Sequence, residues 1–140
     1  MDAREDGKAA LTAPVVDHMF AEAMELLEGA QALARLATVR KPSATSTAAQ
    51  TVAMRLTTRL ANSVSWLLAA KAVNAGEITA QQMARDFALN KGAAQRVSLE
   101  EQGLDDPDLH PGLRALSAAS LALYRRLARL DELLGRVAQA

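Results

Sequence analysis

Apolar positions recur every three or four residues from Val16 onward: Val16, Met19 or Phe20, Ala23, Leu26 or Leu27, Ala30, Leu33 and Ala37. Asp17, Glu22, Glu25 and Glu28 fall largely on the other side. That spacing predicts an amphipathic helix over 14–38, with Pro14 in the first turn, where its missing N–H costs nothing. The acidic residues of its first half complement the positive end of the helix dipole. Gly29 inside it costs roughly 1 kcal/mol relative to alanine and marks a close approach by a neighbouring element.

Residues 41–46, Lys-Pro-Ser-Ala-Thr-Ser, break the pattern with turn chemistry and read as a mobile link. A second helix is predicted over 47–75, spanning on the order of 40 Å at 1.5 Å per residue. Its first half is amphipathic: Leu56, Leu60, Val64 and Leu67 keep helical spacing, with Arg55, Thr58, Arg59 and Asn62 between them. Its second half has almost no polar side, because Trp66, Leu67, Leu68, Ala69, Ala70, Ala72 and Val73 crowd together. A helix that is apolar all round has to be covered from more than one direction. Gly76 is the expected left-handed stop.

Thr79 and Gln82 form a T-x-x-Q capping box that opens a short helix through Met83 and Phe87 to residue 89. Gly92, Gly103 and the Asp105-Asp106-Pro107-Asp108 cluster read as connection, with a helical turn near 97–102. From Pro111 a third long helix carries the cleanest seam: Leu113, Leu116, Ser120, Leu123, Leu127, Leu130, Leu134 and Val137 alternate by three and four. The prediction is an all-α fold: an antiparallel three-helix bundle with a short extra helix between helices two and three. Residues 1–12 read as a disordered polar arm and 13–140 as one domain, a size that builds a single core.

Composition agrees. Aromatic residues make up only 3% of the chain, and its apolar half is dominated by Ala and Leu, which favours helix over strand. Sixteen basic and sixteen acidic residues cancel, so the basic excess that phosphate binding requires is missing and nucleic acid is not an expected partner. The absence of cysteine excludes disulfides, thiolate catalysis and zinc–sulfur sites. The acidic N-terminus has no apolar stretch of signal-peptide length. The longest apolar run, 64–70, falls far short of the roughly 20 residues needed to cross a bilayer, so a cytoplasmic protein with no membrane partner is expected.

Two histidines and one tyrosine make a thin catalytic inventory. His18 and Glu22 stand one turn apart, but with no nucleophile or third group beside them the ordinary reading is a solvated pair. His110, just before Pro111, reads as a helix-cap residue. Facing Glu-x-x-His pairs for a di-metal site are absent, and the glycines form no phosphate-cradling loop. Ser63, Ser65, Ser117 and Ser120 suit helix–helix contacts. Arg125, Arg126, Arg129 and Arg136 crowd the end of the third helix with Asp131 and Glu132. Most of them are accounted for by the helix dipole and one-turn ion pairs. The sharper alternative is a basic strip matched, in-chain or across a dimer, by Glu22, Glu25 and Glu28. Trp66, the single tryptophan, is a core anchor or an interface anchor, and the two roles coincide if the bundle dimerises through helix two. No enzyme, cofactor or metal is expected.

Residues 54–79, MRLTTRLANSVSWLLAAKAVNAGEIT, resemble the central helix of the RcdA-like family of alphaproteobacteria (regulator of CtrA degradation), which carries MRLTTRL, then SWLL, then AV.xGE[IM]T. Residues 112–134, GLRALSAASLALYRRLARLDELL, are similar to the family's third helix with its S..LY.R..RLD pattern, and 22–27 to its E.M.L segment. The resemblance implies a homodimeric three-helix bundle and a non-catalytic role as adaptor or accessory factor in regulated proteolysis of cell-cycle regulators by ClpXP. The partners it implies are a ClpX-type unfoldase complex and response-regulator-type cargo or co-adaptors. Arg55, Thr58, Arg59 and Trp66 on helix two, with Tyr124 and Arg125 on helix three, are the expected partner-binding residues. The rival expectation is a dimeric structural or regulatory helix-binding protein unrelated to any protease.

Overall fold

The computed structural model describes residues 12–39, 47–89, 104, 107 and 109–139. Among them all regular structure is helical, in four elements with no strand: α1 Ala13–Val39, α2 Thr47–Asn74, α3 Ala80–Asp86 and α4 Pro111–Gln139. The predicted arm (apart from Thr12), the link at 41–46 and the turn at 97–102 lie outside the described residues.

The helix ends follow their local signals. Val16 N–H donates to Thr12 O (3.0 Å), which closes the first turn of α1 around Pro14. At the end of α2, Gly76 takes φ +76°, Gly76 N–H donates to Val73 O (3.0 Å) and Glu77 N–H to Ala72 O (2.9 Å). These paired bonds satisfy the last carbonyls of the helix in a Schellman stop. The capping box at α3 forms as predicted: Thr79 Oγ1 accepts from Gln82 N–H (3.0 Å) and Gln82 Oε1 from Thr79 N–H (2.8 Å). The helix it starts ends at Asp86, three residues before the predicted boundary. Beyond Phe87 the backbone turns toward α4, where Leu89 lies beside Asp131.

The core gathers Val16, Met19 and Ala23 from α1, Trp66, Leu67 and Ala70 from α2, Met83 from α3, and Leu123, Leu127 and Leu134 from α4. Each fully buried large side chain contributes about 1.5–3 kcal/mol of transfer free energy. The buried stripe of α4 is wider than the predicted seam: Ser117, Leu121, Tyr124 and Ala128 are buried as well. The cause is that α4 touches all three other helices, whereas a two-partner seam needs only one narrow row.

Side-chain contacts give the relative directions. Asp17 meets Lys71 (3.2 Å), Glu22 meets Arg126, and Gly29 lies under Leu116, so α1 runs against both α2 and α4. Arg59 reaches Ser117 and Ser120 while Trp66 reaches Asp131, so α2 and α4 run the same way. The antiparallel expectation therefore holds for α1 against α2 and α4; of the three long helices it is α2 and α4, consecutive members of the set, that point the same way. The physical reason lies in the connection: Leu89 sits beside Asp131, whereas Leu104 O accepts from Arg114 Nε (2.7 Å) near the start of α4. Leu89 and Leu104, the described residues nearest the two ends of the connection, thus stand beside opposite parts of α4.

Gly29 marks the predicted close approach. A Cβ there would stand 2.9 Å from Leu116 Cδ2.

Candidate functional site

The six expected partner-binding residues do not share one surface. Arg59 is 2% exposed and lies between α2 and α4. Its Nη1 donates to Ser120 Oγ and, at 3.4 Å, to Ser117 O, while Ser63 Oγ donates to Arg59 O at 2.8 Å. A guanidinium taken out of water is tolerable only with such partners, so Arg59 acts as an internal joint. Among the described residues the buried Ser117 Oγ has no hydrogen-bond partner. Tyr124 is buried too, Arg55 is half-buried, and Thr58 and Arg125 are exposed.

Trp66 is buried in the core, and its Nε1–H donates to Asp131 Oδ1 at 3.0 Å. Burial pushes the Asp131 carboxyl above the ordinary range. The hydrogen bonds from Trp66 and from the Leu89 backbone pull it back, and Glu132 beside it adds a further upward push. One half-buried carboxylate thus joins α4 to the indole of α2.

The polar pairs on the outside tie helices together. Arg126 donates to Glu22, so the basic residues of α4 find an acidic match in-chain at this pair. Lys71 bridges to Asp17 and sits 4.4 Å from the centre of the Phe20 ring. His110 Nδ1 accepts from Gly112 N–H (2.9 Å), the cap role expected of it. No cluster of three or more His, Cys, Asp or Glu side chains with metal-binding geometry occurs among the described residues. No helix of the described residues is long and apolar enough to cross a membrane.

What the structure leaves open is the back of α2. Ala61, Val64, Ser65, Leu68 and Ala72 line an apolar groove of about 620 Å³ on the side of the helix away from its core stripe. Leu27 of α1 and Ile78 and Phe87, flanking α3, line the groove as well. No charged side chain lines it. Leu68 is 51% and Phe87 44% exposed, and Met54, one turn before Thr57 and Thr58, is 71% exposed. Exposed large apolar groups gathered on one face mark contact surfaces more often than scattered ones do. The over-apolar half of α2 is thus covered by α1, α3 and α4 on its inner sides and bare on the outer one. Leu68 was visible in the SWLL run as part of that excess; Ile78 and Phe87 gave no such signal, since joining them to α2 takes the turn at Gly76.

The profile of one protein family, described as "Protein of unknown function (DUF1465)", matches residues 7–140. The chain belongs to the DUF1465 family. The match takes in every described helix, so the buried Arg59 joint, the Asp131 tie and the open α2 face all lie within the DUF1465 region. Comparison with curated proteins and with solved structures gives no match.

Proposed function

We propose that this DUF1465 protein is a non-catalytic interaction module. In this reading its three long helices form one bundle, α1 running against the other two, and two copies associate through the outer face of α2. The observation that carries the reading is the uncharged, partly exposed apolar face built on Ala61, Ser65, Leu68 and Ala72 with Phe87 beside it. A second copy is the occupant such a face fits: small residues let two helices approach closely, and a surface without charge meets its own two-fold image without repulsion. The biochemical role we assign is that of an adaptor or accessory factor for ClpXP-type proteolysis of cell-cycle regulators in the cytoplasm. Support for that assignment is the sequence resemblance over residues 54–79 and 112–134.

In this reading the exposed Thr58 and Arg125 and the half-buried Arg55 would touch partners at the surface, whereas Arg59, Trp66 and Tyr124 would act through the shape of the fold. Two measurements test the proposal. Sedimentation at tens of micromolar is expected to give a dimer for the native protein and a folded monomer for Leu68→Glu; a native monomer overturns the dimer. In a reconstituted degradation assay, adding the native protein is expected to shorten the half-life of a response-regulator-type cargo. An unchanged half-life with every such cargo, and no binding to the unfoldase, overturns the proteolytic role.

A further inference from the structure

Among the described residues no exposed side chain of α2 is charged. The charged residues of this helix lie elsewhere: Arg59 is buried, Arg55 is half-buried, and Lys71 is held by Asp17 and the Phe20 ring. A surface helix ordinarily turns charges to water, as α1 does with Glu25 and Glu28 and α4 with Arg129 and Glu132. The outer face of α2 is also symmetric in its relief. Met54 and Leu68, its large exposed apolar side chains, stand seven residues before and seven after the exposed Ala61. Two turns, about 10 Å along the axis, separate each from that alanine. Thr57 and Ser65, which bring the hydroxyls to the groove lining, flank Ala61 at four residues on either side. The groove itself is not symmetric: it leaves Met54 outside and extends past Leu68 to Ile78 and Phe87.

We propose that the second copy lies antiparallel on this face, its two-fold axis crossing at Ala61, so that Met54 of the partner subunit seats in the groove beside Leu68. Each groove is then incomplete without a side chain from the other chain. A two-fold at position 61 brings 54 to 68 and 57 to 65, and makes each contact twice. Apolar thus meets apolar at the flanks, and the Thr57 hydroxyl meets that of Ser65 nearer the centre. Ala61 at the crossing lets the two backbones approach closely. A parallel pair would instead set Met54 against Met54 and groove mouth against groove mouth. That arrangement leaves empty space, which close-packed interface cores do not keep.

The inference rests on the α2-face reading and is tested separately from it. The chain has no cysteine, so introduced thiols can pair only with one another. Full-length Ala61→Cys, Met54→Cys and Leu68→Cys are oxidised with copper phenanthroline, singly and after mixing in reduced form, and resolved by non-reducing electrophoresis. A disulfide needs the two Cα atoms within roughly 7 Å, so the links report which positions meet. Ala61→Cys is expected to link to its own copy. Met54→Cys mixed with Leu68→Cys is expected to give at least about tenfold more linked dimer than either alone. Met54→Ala, followed by sedimentation, is expected to raise the dimer dissociation constant about tenfold or more, because every dimer loses two such contacts. Met54→Cys that links to itself as readily as to Leu68→Cys overturns the arrangement and leaves α2 as the interface, as does undiminished dimerisation of Met54→Ala. Should Leu68→Cys fail to fold, Ala61→Cys and Met54→Ala decide by the same outcomes. A native protein that sediments as a monomer, or a native dimer in which none of the three cysteines links, removes the α2-face reading and the arrangement with it.

Discussion

Replacing Trp66 with phenylalanine separates two contributions that the structure superimposes at one residue. The indole fills the core between α2 and α4, and its N–H serves the half-buried Asp131. Shrinking the ring removes apolar contact and leaves a small void, worth about 1–2 kcal/mol. Losing a hydrogen bond to a charged acceptor costs about 1.5–3 kcal/mol when buried, and about 1–2 kcal/mol here because Asp131 is partly solvated. The expected deficit near neutral pH is therefore about 2–4 kcal/mol. The two parts respond differently to acid. Asp131 already has a raised folded pKa, so the folded chain takes its proton before the unfolded chain does. The penalty for burying its charge is present at neutral pH and fades as pH falls through the raised value, disappearing below the ordinary carboxylate range. Without the Trp66 donor, the folded-state value climbs further and the window opens at higher pH. Urea unfolding followed by far-ultraviolet circular dichroism, run at neutral pH and at about pH 4–5, should show the deficit shrinking by roughly half in acid. Carboxylates whose surroundings are the same in both proteins cancel in the difference. A deficit that stays the same across that range would refute the assigned role of the Trp66–Asp131 bond.

Gly76→Ala and Gly135→Ala form a matched pair with opposite signs. The first forces a side chain into φ +76° and should lose about 1–2 kcal/mol, while the second fills open space within α4 and should gain about 0.5–1 kcal/mol; thermal melts read both. Arg59→Met should stay within about 1 kcal/mol of the native protein, since Ser120 Oγ already donates to Ser117 O at 2.9 Å; Arg59→Ala, which opens a hole, should lose about 2–4 kcal/mol in the same denaturant titration. Gly29→Ala should be nearly neutral because the flexible end of Leu116 can yield, whereas Gly29→Leu should prevent α1 from docking on α4, seen as lost thermal cooperativity.

The helices were legible because their signals are local. Pro14, the T-x-x-Q box at Thr79, the stop at Gly76 and the start at Pro111 each act within a turn or two of chain; the first two long helices fall within a residue of their predicted bounds, and the third starts at the predicted Pro111. Arg59 was the instructive misplacement. Val52, Leu56, Arg59, Ser63, Trp66 and Ala70 repeat by four and three, so Arg59 stands on the buried stripe, and Ser117 and Ser120 on α4 are its polar counterpart. Reading arginine as a surface residue hid that periodicity. The direction of α4 was not legible at all. Three amphipathic rods can bury the same faces in either sense, and only the long-range meetings of Arg59 with Ser120 and Trp66 with Asp131 distinguish the two.

The like orientation of α2 and α4 has a kinetic consequence. Helices α1 and α2 are neighbours through a short link, but α4 can dock only after the chain has closed the long excursion from residue 75 to residue 110, which carries a larger entropic penalty. The first two helices are thus expected to pair early and the fourth to join late. Leu60→Ala should chiefly slow refolding in stopped-flow experiments, and Leu127→Ala should chiefly hasten unfolding. Until α4 arrives, the flank of α2 bearing Trp66 faces solvent, and the nascent chain is at its most adhesive in that interval.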